Sequence, residues 1–157
     1  MTPTERMKER ARAIGFDAVA VARAEPLTEE HDRYMEWLRR GYHGTMAYME
    51  RQADMRRDPA LILPGAQSVI VVARNYYTSH RHPDGAVGKI ARYAWGDDYH
   101  VVLPPMLDAL CEAVKEIVPD SETRRYTDTG PIPEKVWAVR SGLGRDFAFR
   151  IVHREDP

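Results

Sequence analysis

The chain has 157 residues, 43% hydrophobic, 30% charged and 9% aromatic, the composition of one ordinary globular domain and too short for two generous ones. Lys plus Arg total 23 against 24 for Asp plus Glu, a formal net charge of -1, which argues against a protein that holds nucleic acid mainly through a basic surface and leaves only a locally basic face open. The longest apolar stretch, Pro64 to Ala73, is interrupted by Gly65, Gln67 and Ser68 and falls far short of the roughly 20 residues of a membrane span, so no crossing of a bilayer is expected.

Met1 to Arg12 is charged throughout and lacks the apolar core and small-residue cleavage site of a secretory signal, so a cytoplasmic location is expected. Met7, Ala11 and Ile14 recur at helical spacing and predict a helix over Thr4–Ile14, capped by Thr4 behind Pro3 and stopped at Gly15. FDAVAVARA, 16–24, is rich in small and β-branched residues and reads as a short buried strand closed by Pro26. Thr28, with Glu29 and Glu30 behind it, opens a second helix whose Tyr34, Trp37 and Leu38 share a face until Gly41. A helical turn over Thr45–Arg51 follows, and Met55–Pro64 reads as a turn into a short helix. Ser68–Tyr76, SVIVVARNY, is the clearest strand, and its nearly continuous apolar start predicts a central place in a sheet.

Thr78–Gly88 is a polar loop with no packing face, the expected place for mobility or partner contact, and Ile90–Tyr93 reads as extended. Asp97–Val118 carries the longest helical pattern, through Val101, Leu103, Leu107, Leu110 and Val114. Pro104 and Pro105 intrude; a helix-interior proline costs roughly 3 kcal/mol, which predicts a kink or a restart at Pro104. Ser121–Thr127 reads as an edge strand leading to Asp128, Pro131 suits a first helical turn, and Glu134–Ser141 completes a last helix before Gly142. The stretch RDFAFRIVHREDP, 145–157, loses this amphipathic pattern and reads as a tail without a packing partner. Helices alternating with apolar strands predict a layered α/β or α+β domain.

The single cysteine, Cys111, excludes an internal disulfide and an iron–sulfur cluster held by this chain alone, since such a cluster takes about four thiolates. It lies on the apolar face of its helix and reads as buried and inert. His80 and His82 come nearest to a metal pair but sit among Ser79, Arg81 and Pro83 in the polar loop, so no metal site is expected. Asp128 opens the sharpest constellation, YTDTGP followed by Glu134 and SGLG. A carboxylate between a strand end and a helix start serves either as a helix cap or, where its pKa is raised in a closed apolar pocket, as a catalytic acid, and the residues leave both roles open. Arg51, Arg56, Arg57, Lys89 and Arg92 are either phosphate-gathering donors or solvated surface charges. Tyr76, Tyr77, Tyr93 and Tyr99 either flank a flat ligand or pack at strand ends.

The ordered blocks GFDAVAVARAEPL (15–27), WLRRGYHGTMAYMER (37–51), RRDPALILPGAQSVIVVARNYY (56–77), GKIARYAWGDDYH (88–100), DTGPIPEK (128–135) and SGLG (141–144) closely resemble the N-terminal half of epoxyqueuosine reductase. The resemblance implies an α+β, nitroreductase-like cobalamin domain with a central mixed sheet flanked by helices. It implies a cobalamin-dependent oxidoreductase that removes the epoxide oxygen from epoxyqueuosine at the wobble position of tRNA, giving queuosine. In such an enzyme cobalamin lies between this domain and a ferredoxin-like domain with two 4Fe-4S clusters. The family's proton donor is the aspartate of the DTGP-type motif, which falls on Asp128. By the same transfer Arg57 in the RxDP block, with Gly142, Leu143 and Gly144, are cofactor-contact positions, and Tyr99 in GDDYH is a substrate-contact position. The implied partner is the tRNA anticodon loop, whose modified nucleoside is specified by shape and stacking, and near-neutral charge fits that mode. The electron donor is unspecified.

The resemblance stops abruptly after Gly144, where the family continues into a WIGKN-like turn and the cysteine-rich cluster domain. That is what a frameshift or a truncated gene produces. Residues 1–144 are therefore read as the family-type domain, 145–157 as a divergent tail, and the ferredoxin-like domain as absent, so the chain alone is expected not to reduce epoxyqueuosine. Pro133 also departs from the family's usual aliphatic residue. The alternatives are a stand-alone cobalamin-binding or interaction module working with a separate cluster protein, or a non-functional remnant. A flavin-binding nitroreductase relative rests on fold analogy alone.

Overall fold

The computed structural model describes residues 1–82, 85 and 88–144 in full and 149–155 through their backbone. Helix α1 runs Pro3–Ile14, one residue earlier than the sequence predicts, because Thr2 and not Thr4 is its cap. The Thr2 hydroxyl accepts from the Glu5 amide at 3.2 Å and the Glu5 carboxylate accepts from the Thr2 amide at 2.6 Å. This reciprocal box satisfies two amides at once, and Pro3 occupies a first-turn position where its missing N–H costs nothing. Gly15, at φ 111, ends the helix in the left-handed conformation. Strand β1 follows at Ala18–Arg23, then α2 at Thr28–Arg39, for which Thr28 is the first helical residue rather than a side-chain cap. A short α3, Tyr48–Arg51, and two 3-10 turns, Asp54–Arg56 and Pro59–Leu61, lead into β2, Ser68–Ala73.

The stretch expected to be extended over Ile90–Tyr93 instead turns into a 3-10 helix at Arg92–Ala94. Asp98 then caps α4, Tyr99–Ile117, through a bond from the His100 amide at 2.9 Å. The expected restart at Pro104 does not occur: α4 runs unbroken with both prolines inside. Leu103, Leu107 and Leu110 are all but fully buried, and at about 2 kcal/mol each their burial offsets the roughly 3 kcal/mol that each proline costs. Strand β3, Ser121–Tyr126, and helix α5, Glu134–Arg140, complete the fully described part, and backbone residues Phe149–Glu155 form β4.

The described strands form one sheet in the order β1-β2-β4-β3. Two expectations are corrected here. The sheet is antiparallel at every described pairing rather than mixed. The cause is local: the chain leaves β1 and enters β2 at the same end, where the Ala24 amide donates to the Gln67 carbonyl at 3.0 Å. After α4 the chain returns as β3, parallel to β2 but one place removed, and the place between them takes β4 in the opposite direction. Residues 149–155 are therefore not a tail without a packing partner, since Ile151 stands opposite Ile70 of β2 and Arg125 of β3. Pairing on both sides satisfies backbone groups that no amphipathic pattern announces.

Strand β2 is buried on both faces, and successive residues feed opposite cores. Ile70 and Val72 pack with Met7, Ala11, Phe16, Leu107 and Leu110 under α1 and α4. Val69 and Val71 pack with Leu27, Leu63, Ile132, Trp137 and Ala138 on the α5 side. The architecture is α+β, with helices on both faces of the sheet.

Candidate active site

The loop that leaves β3 passes through Thr127, buried, into Asp128, exposed, and returns to buried Gly130, Pro131 and Ile132. Asp128 is the one non-glycine residue with positive φ among the described residues, at 56°. Across it the Thr129 amide donates to the Thr127 carbonyl at 2.6 Å, closing a three-residue turn. Such backbone is costly for a residue with a Cβ, although aspartate tolerates it better than most. The turn throws the Asp128 carboxylate outward while its neighbours stay packed. Asp128 is thus not a helix cap: α5 begins only at Glu134, with Pro133 before it and no side-chain cap.

The carboxylate meets Tyr99, whose phenol donates to Asp128 Oδ2 at 2.5 Å. Tyr99 is the first residue of α4, and its ring packs against the α1–α4 core and stacks on His100, centroids 4.1 Å apart. The bond to Asp128 is the largest cause that pushes the Tyr99 phenol up to about 12, with desolvation and the charges of Asp128 and Asp98 acting the same way. Tyr99 therefore stays protonated and serves as a donor. Asp98 accepts from the His100 amide and, at 2.8 Å, from His100 Nδ1, and these bonds hold its carboxyl below the usual range. Two residues singled out in separate sequence blocks, Tyr99 and Asp128, thus meet at one point. Their neighbours Asp98 and His100 were not singled out, although the DDYH string that contains Tyr99 holds both.

The other expected positions have surroundings of their own. Arg57 is exposed beside the first 3-10 turn, and its carbonyl accepts from the Leu27 amide at 2.7 Å. The amides of Gly142, Leu143 and Gly144 are used to finish α5, donating to the carbonyls of Val139 and Ala138 at 2.9–3.2 Å. Gly142 and Gly144 have positive φ, nothing stands within 4 Å of where a Cβ on either would lie, and Leu143 leans on the α5-side core. The arginines do not gather. Arg56 sits over the Tyr34 ring at 5.7 Å, while Arg92 sits over Tyr77 at 5.0 Å and Trp95 at 5.7 Å and donates to the Thr78 carbonyl. His82 contacts the Ile90 carbonyl at 3.1 Å and the Trp95 ring edge-on, and His80 contacts Thr78. Among the described residues no group of three His, Cys, Asp or Glu is set to hold a metal ion. Burial pushes the Cys111 thiol up, away from reactivity.

Residues 56–129, which run from the 3-10 turns through β2, α4 and β3 to Asp128, match the family described as epoxyqueuosine reductase QueG, DUF1730. Over most of its length the chain is similar to epoxyqueuosine reductases. The epoxyqueuosine reductase of Synechocystis sp. is 50% identical over 117 residues, 74% of this chain and 40% of that protein. A crystal structure of selenomethionine-labelled epoxyqueuosine reductase superposes with a TM-score of 0.82 at 26% identity, covering 96% of this chain and 45% of that one. A crystal structure of epoxyqueuosine reductase with an epoxyqueuosine-modified tRNA-Tyr stem loop shares the fold, with a TM-score of 0.80 at 24% identity over 98% of this chain and 46% of that one. The chain spans about half the length of the curated relatives it matches. Its likeness to them extends over most of this chain, through 142 aligned residues in one and 146 in another.

Proposed function

We propose that this chain forms the N-terminal part of an epoxyqueuosine reductase acting on tRNA in the cytoplasm, with Asp128 as the proton donor. The supporting observation is the meeting of Asp128 with Tyr99 at an exposed point of an otherwise packed loop. Turning an epoxide into an alkene consumes two electrons and two protons and releases the oxygen as water. Negative charge develops on that oxygen as the ring opens, so an acid within hydrogen-bond reach lowers the barrier. Asp128 supplies one of those protons and becomes a carboxylate that already has a donor waiting in Tyr99.

The substrate side is proposed to be the anticodon stem loop, in keeping with the tRNA-bound structural neighbour. Exposed Tyr76, Tyr77 and Tyr93, with Arg92 set between Tyr77 and Trp95, supply faces on which unpaired bases stack. Cobalamin and two 4Fe-4S clusters are what the resemblance implies for the whole enzyme. The residues of this chain proposed toward cobalamin are Arg57, which is exposed, and Gly142 to Gly144, where the space beside Gly142 and Gly144 is open while the three amides already donate to carbonyls of α5. The 1–144 family-type domain, with a stretch divergent in sequence after it, belongs to the same proposal.

Binding decides the reading. The chain is expected to retain an anticodon stem loop carrying epoxyqueuosine more tightly than the same loop carrying unmodified guanine, and Tyr77→Ala is expected to weaken both. Equal retention of the two loops, or none, overturns the reading.

A further inference from the structure

We infer that Tyr99 is the positioning residue for Asp128: its phenol, fixed at the start of α4, holds the carboxylate of the strained turn in place. The inference rests on the reading of Asp128 as the acid. A carboxylate on an exposed turn with left-handed backbone has little to limit its rotamers, and nothing in residues 127–130 grips it. Thr127 turns inward, where its Oγ1 is buried without a hydrogen-bond partner among the described residues, and Gly130 is packed under Tyr126. The described contact that ties the Asp128 side chain to the body of the protein is the 2.5 Å bond from Tyr99.

Tyr99 is built for that task. Its ring is held by the α1–α4 core on one side and by the stack on His100, and its backbone by the helix that Asp98 caps. The hydroxyl is therefore presented from a rigid base. It is also a donor throughout the working pH range, since its proton is retained up to about 12, and this argues against Tyr99 as the acid itself. A donor on a carboxylate strengthens as charge grows there, so the bond that places Asp128 before proton transfer also steadies it afterwards.

Tyr99→Phe separates the hydroxyl from the ring, because phenylalanine keeps the core packing and the stack. In this variant of the 157-residue chain, amide hydrogen exchange at Thr129 is expected to quicken about tenfold or more, while the β1–β2 amides keep their rates. Unchanged exchange at Thr129 overturns the inference. A second arm stands even if that variant fails to fold: in Asp128→Asn the Tyr99 phenol, followed by NMR, is expected to titrate well below its value of about 12 in the parent, toward the ordinary value near 10. A Tyr99 titration that ignores the substitution overturns the inference equally. Asp98, Tyr93 and His100 also surround the phenol and are identical in both proteins, so they do not account for a difference. Neither arm reads turnover or tRNA binding, so a failure of the reductase reading and a failure of this inference are told apart.

Discussion

Tyr126 closes on Gly130 so tightly that a Cβ at Gly130 would stand 2.2 Å from Tyr126 Cδ1 and 2.5 Å from Cγ. The last residue of β3 thus pins the loop that carries Asp128, and only a residue without a side chain fits beneath it. Gly130→Ala is expected to force the ring or the loop aside at a cost of about 1–3 kcal/mol. Urea unfolding reads that loss, and the same substitution is expected to quicken exchange at Thr129. An alanine variant with parental stability would show that Tyr126 swings away freely.

Alkaline pH offers a second check. The Tyr99 phenol is raised to about 12 in the folded protein, mainly by its bond to Asp128, against about 10 in an unfolded chain. Between these values the unfolded state gives up its proton and the folded state keeps it. The contribution to stability is therefore complete below about pH 10 and is lost as pH rises through about 12. Urea midpoints measured at about pH 9 and about pH 11.5 should drop more for the parent than for Tyr99→Phe, which has no phenol at position 99 to titrate. Equal drops would mean that the bond does not hold in solution.

Leu107 is fully buried in the core between the sheet and α4. Leu107→Ala is expected to cost 2–5 kcal/mol, with the denaturant slope unchanged, because the cavity sits between elements that cannot close on it. It is the sharpest test of whether burial is what keeps the proline-containing helix intact: circular dichroism should show helix lost together with tertiary structure, in a single transition.

Ile151 pairs with Ile70 on one side and Arg125 on the other. Ile151→Pro removes an amide from an interior strand and is expected to cost at least about 3 kcal/mol. A tail that merely lay on the surface would accept the proline with no measurable change in unfolding midpoint, so the two pictures of residues 149–155 give opposite results.

Much of this was legible in the chain. The apolar run of β2 announced a central strand because Val69, Ile70, Val71 and Val72 leave no polar position for a solvated face, and both faces are in fact covered. The prolines of α4 misled because propensity is local, whereas Leu103, Leu107 and Leu110 are paid for by contacts from elsewhere in the chain. β4 was missed for a related reason: its stabilising bonds are all to β2 and β3, and nothing in RDFAFRIVHREDP records which edges await it. The site was half visible. Family blocks marked Tyr99 and Asp128 separately, but that they touch depends on where α4 begins relative to the end of β3. Gly142 to Gly144 also finish α5, a task that follows from amide bonds back to Val139 and Ala138 rather than from the SGLG string itself.

The sheet order has a consequence for how the chain assembles. Of the four described strands, the one that comes last in sequence goes into an interior place, so the sheet cannot be zipped up in the order in which a ribosome delivers it. Until β4 docks, the facing edges of β2 and β3 must wait apart, each with unpaired amides and carbonyls open to a wrong partner. A chain of residues 1–148 should therefore bind chaperones more strongly than the 157-residue chain, which carries that strand.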